Sequence, residues 1–294
     1  MIVACVASIL YFVHIVTDMT TTTPPKVPPQ MLQYFNIVDT FNLTWAHAVN
    51  SPGLLRDALV DPSVMMLEAD VMMDAVANVP VMAHPPATTS DLTLEEFLQT
   101  VGSSTTMPKG VKLDYKTTSA LTNSLQIVKE FILNDEIAHS NGTMNRRPVI
   151  INADILQGPN SDPAVTPVDK KLFIDVCNQL PSTIVSPGWT TGFSESHREG
   201  YQWDSVREMY ELVKDLPHSE ITFPVRISLA AVSADQLLWL IGRERERFSL
   251  TLWTSHKDYY DFKELSFLKG IRDRVYFDLP DKEREDVLSL LSSV

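Results

Sequence analysis

The feature that most constrains the fold is an alternation of short apolar runs with segments of helical periodicity. Eight such runs are rich in β-branched and apolar residues: "FNLTWAHAV", "VMMLEADVMM", "GVKLDYK", "PVIINADIL", "TIVSPGW", "ITFPVRISLA", "FSLTLWTS" and "VYFDLP". Nearly all are followed by a helix-like segment, and "SALTNSLQIVKEFILND" carries the clearest apolar stripe. Strands that alternate with helices form a parallel sheet with right-handed crossovers.

Eight strand–helix units in about 260 residues predict a TIM (β/α)8 barrel. The alternative is an open doubly wound sheet. Its dinucleotide-binding version is disfavoured, because no Gly-rich phosphate loop follows the first run. One piece, "VANVPVMAH", breaks the alternation and predicts a short hairpin that folds back over the end of the second strand.

The N-terminal segment has a different character from the rest. The apolar run "MIVACVASILYFVHIV" is shorter than the roughly 20 residues that span a bilayer. We interpret residues 1–17 as a signal peptide or signal anchor, the alternative being a buried or disordered extension. Residues 18–30, with "TTTTPPKVPP", are typical of a linker, which leaves 31–294 as the folded domain. We therefore expect an extracellular protein, secreted or anchored to a membrane through this segment.

Composition excludes several classes of protein. The net charge is −13 and no long run of Lys or Arg occurs, which argues against nucleic acid as a partner. A phosphate ligand is still compatible, since a bound metal inverts the local charge. The two cysteines, Cys5 and Cys177, allow no disulfide framework and no Cys-based zinc site, and Cys177 has the spacing of a core residue. Asn42 and Asn141 begin glycosylation sequons.

Carboxylates stand where the predicted strands end. In a TIM barrel the active site lies at the C-terminal ends of the strands. Glu68 and Asp70 are two apart and so share a face of the second strand, where Asp114 on the next strand can join them. Three clustered carboxylates repel unless a cation neutralises them, and oxygen ligands favour Mg²⁺ or Ca²⁺. The alternative is that these groups are solvated or cap the next helices.

Two histidines flank these carboxylates in the sequence. His47 ends the first strand, and His84 lies on the predicted hairpin. Imidazole titrates near neutral pH, so the pair suits general acid–base work, although a single histidine is more often structural. Lys112 and Lys116 share the face of Asp114. We predict that Lys116, nearer the mouth, binds phosphate; Lys112 is a second candidate or a buried ion-pair partner.

Later strands carry further polar and aromatic candidates for substrate contact. Asn152 and Asp154 are two apart in "INADI", and Arg226 lies in "VRISL". Trp189 and Trp253 lie near the ends of the fifth and seventh predicted strands. The structural alternatives are that Asp154 pairs with Arg226 across the barrel interior and that Trp253 belongs to the core.

These residues resemble a known superfamily. H-x-V-N in "AHAVN", E-x-D-V in "LEADV", the later histidine and D-x-K in "LDYK" resemble phospholipase-C-like phosphodiesterases, including glycerophosphodiesterases and spider-venom sphingomyelinase/phospholipase D enzymes. More closely, "WAHAVNS", "LEADV", "AHPP", "KLDYK", "INADI" and "SPGWTT" resemble the menorin family from about Tyr34 to the C-terminus.

The superfamily resemblance implies roles at matching positions. His47 and His84 would be the acid–base or nucleophilic pair, and Lys116 would contact the phosphate. The metal ligands would be Glu68, Asp70 and Asp114, binding Mg²⁺. Asn50 of the first motif is added to the candidates for substrate binding, and Trp253 resembles a late-strand tryptophan of the venom enzymes.

The sequence departs from the superfamily in two places. Ala48 and Val49 follow His47 where glycerophosphodiesterases have Arg-Gly, and the catalytic loop lacks the cysteine of the venom enzymes and has Pro85 and Pro86 instead. Two functions follow as hypotheses. One is a metal-dependent phosphodiesterase acting on a phospholipid or glycerophosphodiester. The other, implied by the menorin resemblance, is a catalytically silent extracellular co-factor that contacts cell-surface adhesion proteins in dendrite patterning.

Overall fold

The computed structural model describes residues 29–104, 108–138, 146–192, 199–255 and 258–292. The predicted signal segment, nearly all of the linker and the Asn141 sequon therefore lie outside the described residues. Gln30, which we assigned to the linker, instead begins the first helix. None of the helices in these ranges is long and apolar enough to cross a membrane.

Eight parallel strands form the sheet in the order in which they occur along the chain. All eight predicted runs become strands, and a ninth strand, β3, belongs to the predicted hairpin. The strands are β1 Trp45–Ala46, β2 Met66–Met73, β3 Pro80–Met82, β4 Gly110–Tyr115, β5 Val149–Gln157, β6 Ile184–Thr190, β7 Ile221–Arg226, β8 Phe248–Trp253 and β9 Val275–Asp278. Their order is β1-β2-β4-β5-β6-β7-β8-β9, with β3 antiparallel to β2. An unbroken order without a switch point is that of a TIM barrel, not of a doubly wound sheet.

Helices follow most of the strands and, apart from α1, pack outside the barrel. They are α1 Gln30–Phe35, α2 Pro52–Val60, α3 Leu94–Ser103, α4 Thr118–Ala138, α5 Lys170–Asn178, α6 Trp203–Val213, α7 Ile227–Ala230, α8 Ala234–Arg243 and α9 Asp281–Ser292. Local chemistry defines their starts: Ser51 caps α2, which has Pro at its first position, and Thr93 and Glu96 form a capping box on α3. The segment "DFKELSFLKG" lies mostly in a 3₁₀ helix, Phe262–Arg274.

Packing brings the first and last strands of the barrel together. No backbone ladder joins β1 to β9 within the described ranges. The 3₁₀ helix Thr40–Asn42, just before β1, instead places Phe41 in a stacked contact with Phe277 of β9, with 4.4 Å between ring centroids. At the N-terminal end of the barrel, α1 buries Met31 and Leu32 against Met66 and Tyr276. The helix therefore plugs the barrel opposite the mouth.

A candidate metal and acid–base site at the barrel mouth

The three carboxylates predicted to bind a metal do come together. Asp70 on β2 stands beside Asp114 on β4, and Glu68 stands beside Lys112. Glu68, Asp70 and Asp114 each offer an oxygen within 4.8 Å of the others. Glu68 and Asp70 are buried and Asp114 is half-buried. The cause is the strand register, because every second residue of β2 and β4 points into the barrel.

Two asparagines that we predicted to bind substrate hold these carboxylates in place. Asn50 donates from Nδ2 to Asp70 Oδ2 at 2.7 Å, and its Oδ1 accepts the backbone N–H of Asp70 at 2.9 Å. Asn152 donates to Asp114 Oδ1 at 2.7 Å and accepts from the Ser186 hydroxyl at 2.6 Å. Both amides are therefore positioning groups in this structure, since their donors and acceptors are already engaged with protein.

Lys116 lies inside the acidic cluster. Its ammonium is 2.9 Å from Asp70 Oδ1 and also contacts Asp114 Oδ2. Burial lowers the pKa of Lys116, but the charges of Asp114 and Asp70 outweigh burial and hold the pKa well above its usual value. Burial also raises the pKa of Asp114, and Lys116 and Lys112 outweigh it, so this pKa lies below its usual range. The ammonium thus offsets one of the two negative charges of this pair of aspartates.

Lys112 is a buried ion-pair partner. Its Nζ lies 3.5 Å from Asp278 Oδ2, and the side chain is almost fully buried. Burial lowers the pKa of Lys112, and the charges of Asp278 and Glu68 raise it above the usual value. Of the two roles considered for Lys112, the structure thus supports the ion pair.

His47 is held by Asp278. Nδ1 of His47 lies 3.3 Å from both oxygens of Asp278 and 3.4 Å from Glu68 Oε2. A carboxylate can only accept, so Nδ1 carries a proton and Nε2 is left for chemistry. Burial lowers the pKa of His47, but the Asp278 hydrogen bond and the charge of Glu68 outweigh it and raise the pKa to about 9. His47 is therefore protonated at neutral pH.

Glu68 has a raised pKa, whereas that of Asp114 is lowered. Burial raises the pKa of Glu68 to about 7, although the charges of His47 and Lys112 act in the opposite direction. The backbone N–H of Ala48 donates to Glu68 Oε2 at 2.8 Å, and Ala48 has a φ of 54°. This turn, directly after His47, fixes the carboxylate beside the imidazole.

Our sequence reasoning missed Asp278. It ends the last predicted strand in "VYFDLP", at the position where we examined the earlier strands for carboxylates. Asp278 is buried, and its pKa is lowered: burial raises it, but Lys112 and His47 outweigh burial. The strand-exit rule applied to all eight strands would have found this residue.

The structure confirms the hairpin that carries His84. β3 pairs with the end of β2, and the backbone N–H of Ala83 donates to the carbonyl of Asp70. His84 follows and is exposed, and its Nδ1 lies 2.6 Å from the carbonyl of Pro85. Within the described ranges no hydrogen bond or ion pair joins His84 to the acidic cluster. Like His47, it engages Nδ1 and leaves Nε2 available.

On the opposite side of the mouth the predicted Asp154–Arg226 pair does not form. Arg226 instead pairs with Asp258, at 2.6 Å between Nη2 and Oδ1, and its guanidinium carbon lies 5.4 Å from the ring centroid of Trp253. Asp154 is half-buried, and burial together with the charge of Asp114 raises its pKa to about 7. Asp154 and Trp253 therefore remain candidates for substrate contact, and Arg226 is a structural partner of Asp258.

Trp189 lies in the core rather than at the mouth. It is 2% exposed and packs against Tyr201 and Phe223. Ser186 and Gly188 of β6 point inward, toward Asn152 and Asp154, so the alternation of the strand turns Trp189 outward. The structure therefore corrects the prediction that Trp189 binds substrate: its side chain packs in the core outside the strands.

Fold and site together define a (β/α)8-barrel protein with an acidic cluster, two lysines and a histidine–aspartate pair at its mouth. The sequence matches the family model of the menorin N-terminal domain over residues 39–284. The human "Protein FAM151B" is 37% identical over 276 residues, which is 90% of this chain and 94% of that protein. The chain belongs to the menorin family.

Solved structures of phosphodiesterases are also similar to this chain. One is an Oleispira antarctica phosphodiesterase in complex with the product sn-glycerol-3-phosphate, with 12% identity, a TM-score of 0.46, and coverage of 85% of this chain and 97% of that one. Another, from Silicibacter pomeroyi DSS-3, carries the provisional name glycerophosphoryl diester phosphodiesterase. It has 12% identity, a TM-score of 0.47, and coverage of 85% of this chain and 94% of that one. Neither likeness assigns an activity to this chain.

Proposed function

We propose that this protein cleaves a phosphodiester bond of a phospholipid or glycerophosphodiester at the barrel mouth. The observation that carries the proposal is the fixed imidazole of His47. Asp278 holds it through Nδ1 beside an all-oxygen acidic cluster. The sequence motifs around His47, Glu68 and Lys116, which resemble those of phosphodiesterases, support the same reaction.

The donor set at the cluster fits a hard divalent cation. Glu68, Asp70 and Asp114 supply only oxygen atoms, within 4.8 Å of one another. Such donors favour Mg²⁺ or Ca²⁺. When bound, the ion would polarise the phosphoryl oxygen and neutralise developing charge. Lys116, displaced from Asp70 and Asp114, would then have a phosphate oxygen as its partner.

The two histidines have different roles in this proposal. His47 is protonated at neutral pH, so it donates a proton to the leaving oxygen as the P–O bond breaks. His84 has Nε2 free, so it either takes the proton of an attacking hydroxyl or attacks the phosphorus itself. Asp278 keeps His47 in the tautomer that presents Nε2.

The test is ³¹P NMR of lysophospholipids, glycerophosphodiesters and sphingomyelin with Mg²⁺. We expect wild type to turn over one of these classes, and His47→Ala and His84→Ala each to lose about 10²–10⁴-fold in rate, or more for a nucleophile. The double variant should be little worse than the weaker single variant, because the pair acts as a unit. Glu95→Gln changes an exposed residue on α3, and this variant should turn over substrate at the wild-type rate. Activity that survives in both histidine variants would show that the assignment is wrong.

A second candidate function is a catalytically silent extracellular scaffold that contacts cell-surface adhesion proteins. The observation in its favour is Lys116, whose ammonium contacts both Asp70 and Asp114 and so stands between two of the proposed metal ligands. Secretion, or anchoring through residues 1–17, belongs to this proposal as well. Isothermal titration with Mg²⁺ and Ca²⁺ separates the two candidates: a protein that binds neither ion and turns over no phosphodiester supports the scaffold.

A further inference from the structure

Exposed apolar side chains concentrate at the mouth end of the barrel. Of the eleven large hydrophobic side chains that are exposed among the described residues, seven lie at this end. Four are in loops that leave the C-terminal ends of strands: Val76, Val79, Val165 and Tyr259. Three are in the first turn of the helix that follows a strand: Leu54, Leu172 and Trp203. Single exposed apolar residues are ordinary, but a bias toward one end marks a surface that meets something apolar.

The β2–β3 hairpin extends beyond the ladder that joins β2 to β4. β2 pairs with β4 as far as Val71, and beyond that point Met72 and Met73 pair only with β3. The turn that follows therefore stands above the rim, and Val76 near its tip is 93% exposed. Asp74 Oδ1 accepts the backbone N–H groups of Val76 and Ala77, so the tip has a defined shape.

Aromatic side chains of the interfacial type stand elsewhere on the same rim. Tyr259, in the loop after β8, is 80% exposed. Trp203, at the start of α6, is 37% exposed, with the guanidinium carbon of Arg207 at 5.3 Å from its ring centroid. Trp and Tyr favour the boundary between lipid headgroups and acyl chains, because each has an apolar body and a polar tip.

We propose that this rim docks the barrel mouth onto the surface of a zwitterionic phospholipid bilayer. The proposal deepens the proposed phosphodiesterase function and rests on it, because a lipid phosphodiester lies in such a surface and the candidate site opens between these loops. Separate apolar tips on several loops around one opening suit a planar surface, whereas protein partners are held by clustered, pocketed anchors. The net charge of −13 disfavours binding to anionic lipid, so we expect the partner surface to be zwitterionic.

The test is flotation of the full-length protein with phosphatidylcholine vesicles, in parallel with vesicles to which phosphatidylserine has been added. Val76→Asp and Tyr259→Asp place a charge at the rim, and each should lower the vesicle-bound fraction about tenfold. The matched control is Val38→Asp. Val38 is 95% exposed but lies between α1 and β1, at the opposite end of the barrel, so this variant should bind like wild type. All three positions are exposed, so melting temperatures should stay close to that of wild type.

The outcomes separate docking from catalysis. Binding that falls in both rim variants and persists in the control supports the proposal, even if the NMR assay finds no turnover; only the phosphodiesterase function then fails. Wild type that does not float with phosphatidylcholine overturns the proposal and favours a protein partner for the rim. An equal loss in Val38→Asp, or tighter binding to the phosphatidylserine vesicles, would also contradict it.

Discussion

Nδ1 of His47 lies 3.3 Å from both carboxylate oxygens of Asp278, and this contact links the exit of the first strand to the exit of the last. Asp278 also contacts the ammonium of Lys112, whose neighbour in the sheet is Glu68. His47 and the acidic cluster are therefore linked through Asp278 and Lys112. A change in any of them should alter the others.

The first prediction concerns pH. The pKa of His47 is about 9 in the fold, against about 6.5 in an unfolded chain. Because the folded state holds the proton more tightly, the stabilisation is complete below about pH 6.5 and is lost as the pH rises through the folded pKa. The His47 side chain is 59% exposed, so solvent screens the interaction. At low pH the free energy of unfolding of wild type should therefore exceed that of His47→Gln by no more than about 1 kcal/mol. Urea unfolding of both proteins in EDTA, from below pH 6.5 to above pH 9, measures this difference in stability. A difference that grows as the pH rises would contradict the prediction.

The second prediction concerns metal binding at the cluster. Ligand binding to the folded state stabilises it by about 2.7 kcal/mol at a hundredfold excess over Kd. Millimolar Mg²⁺ or Ca²⁺ should therefore raise the melting temperature of wild type, and Asp70→Asn should abolish the rise. Glu95→Gln, an exposed acid on α3, should keep it. An equal rise in Asp70→Asn would place the ion elsewhere.

The third prediction concerns competition between Lys116 and the metal. The ammonium lies 2.9 Å from Asp70, so an ion that binds there must displace it. Lys116→Gln should therefore bind Mg²⁺ at least about tenfold more tightly in isothermal titration, because a nearby positive charge is gone. Without metal the same variant should melt at a lower temperature than wild type. Lys170→Gln on α5 is the control, and an unchanged Kd in Lys116→Gln would show that the lysine does not compete.

The fourth prediction concerns the plug at the N-terminal end of the barrel. Met31 is fully buried against Met66, Ile150 and Tyr276. Met31→Ala should lower the free energy of unfolding by about 2–5 kcal/mol through lost contacts and a residual cavity. Val38→Ala, a few residues later and almost fully exposed, should change it by less than about 0.5 kcal/mol. Chemical denaturation measures both, and equal stabilities would show that α1 does not hold the barrel closed.

Several features of the site were readable from the sequence because they depend on short spacings. Glu68 and Asp70 share a face through the two-residue period of a strand, and Asp114 joins them because consecutive strands are neighbours in a barrel. The same two-residue period predicts that Trp189 faces away from the barrel interior, because it lies three positions after the inward-facing Ser186. These are local rules, so one sequence is enough to apply them.

Contacts across the barrel were not readable in this way. Arg226 could pair with either of two carboxylates, Asp154 or Asp258. The loop after β8 places Asp258 within ion-pair distance of the guanidinium. Lys116 enters the acidic cluster, and Asn50 and Asn152 donate hydrogen bonds to its carboxylates. Each outcome depends on which of several equally plausible polar partners is nearest in space.

The sequence by itself determined the class of fold, the order of the strands and the faces on which the carboxylates lie, because hydrophobic periodicity is a property of neighbouring residues. The tertiary structure alone decided that His47 meets Asp278, 231 positions away, and that an ammonium sits between Asp70 and Asp114. Closing the barrel brings the first and last strands together, and the low polarity of its interior then favours the pairing of buried opposite charges such as Lys112 and Asp278.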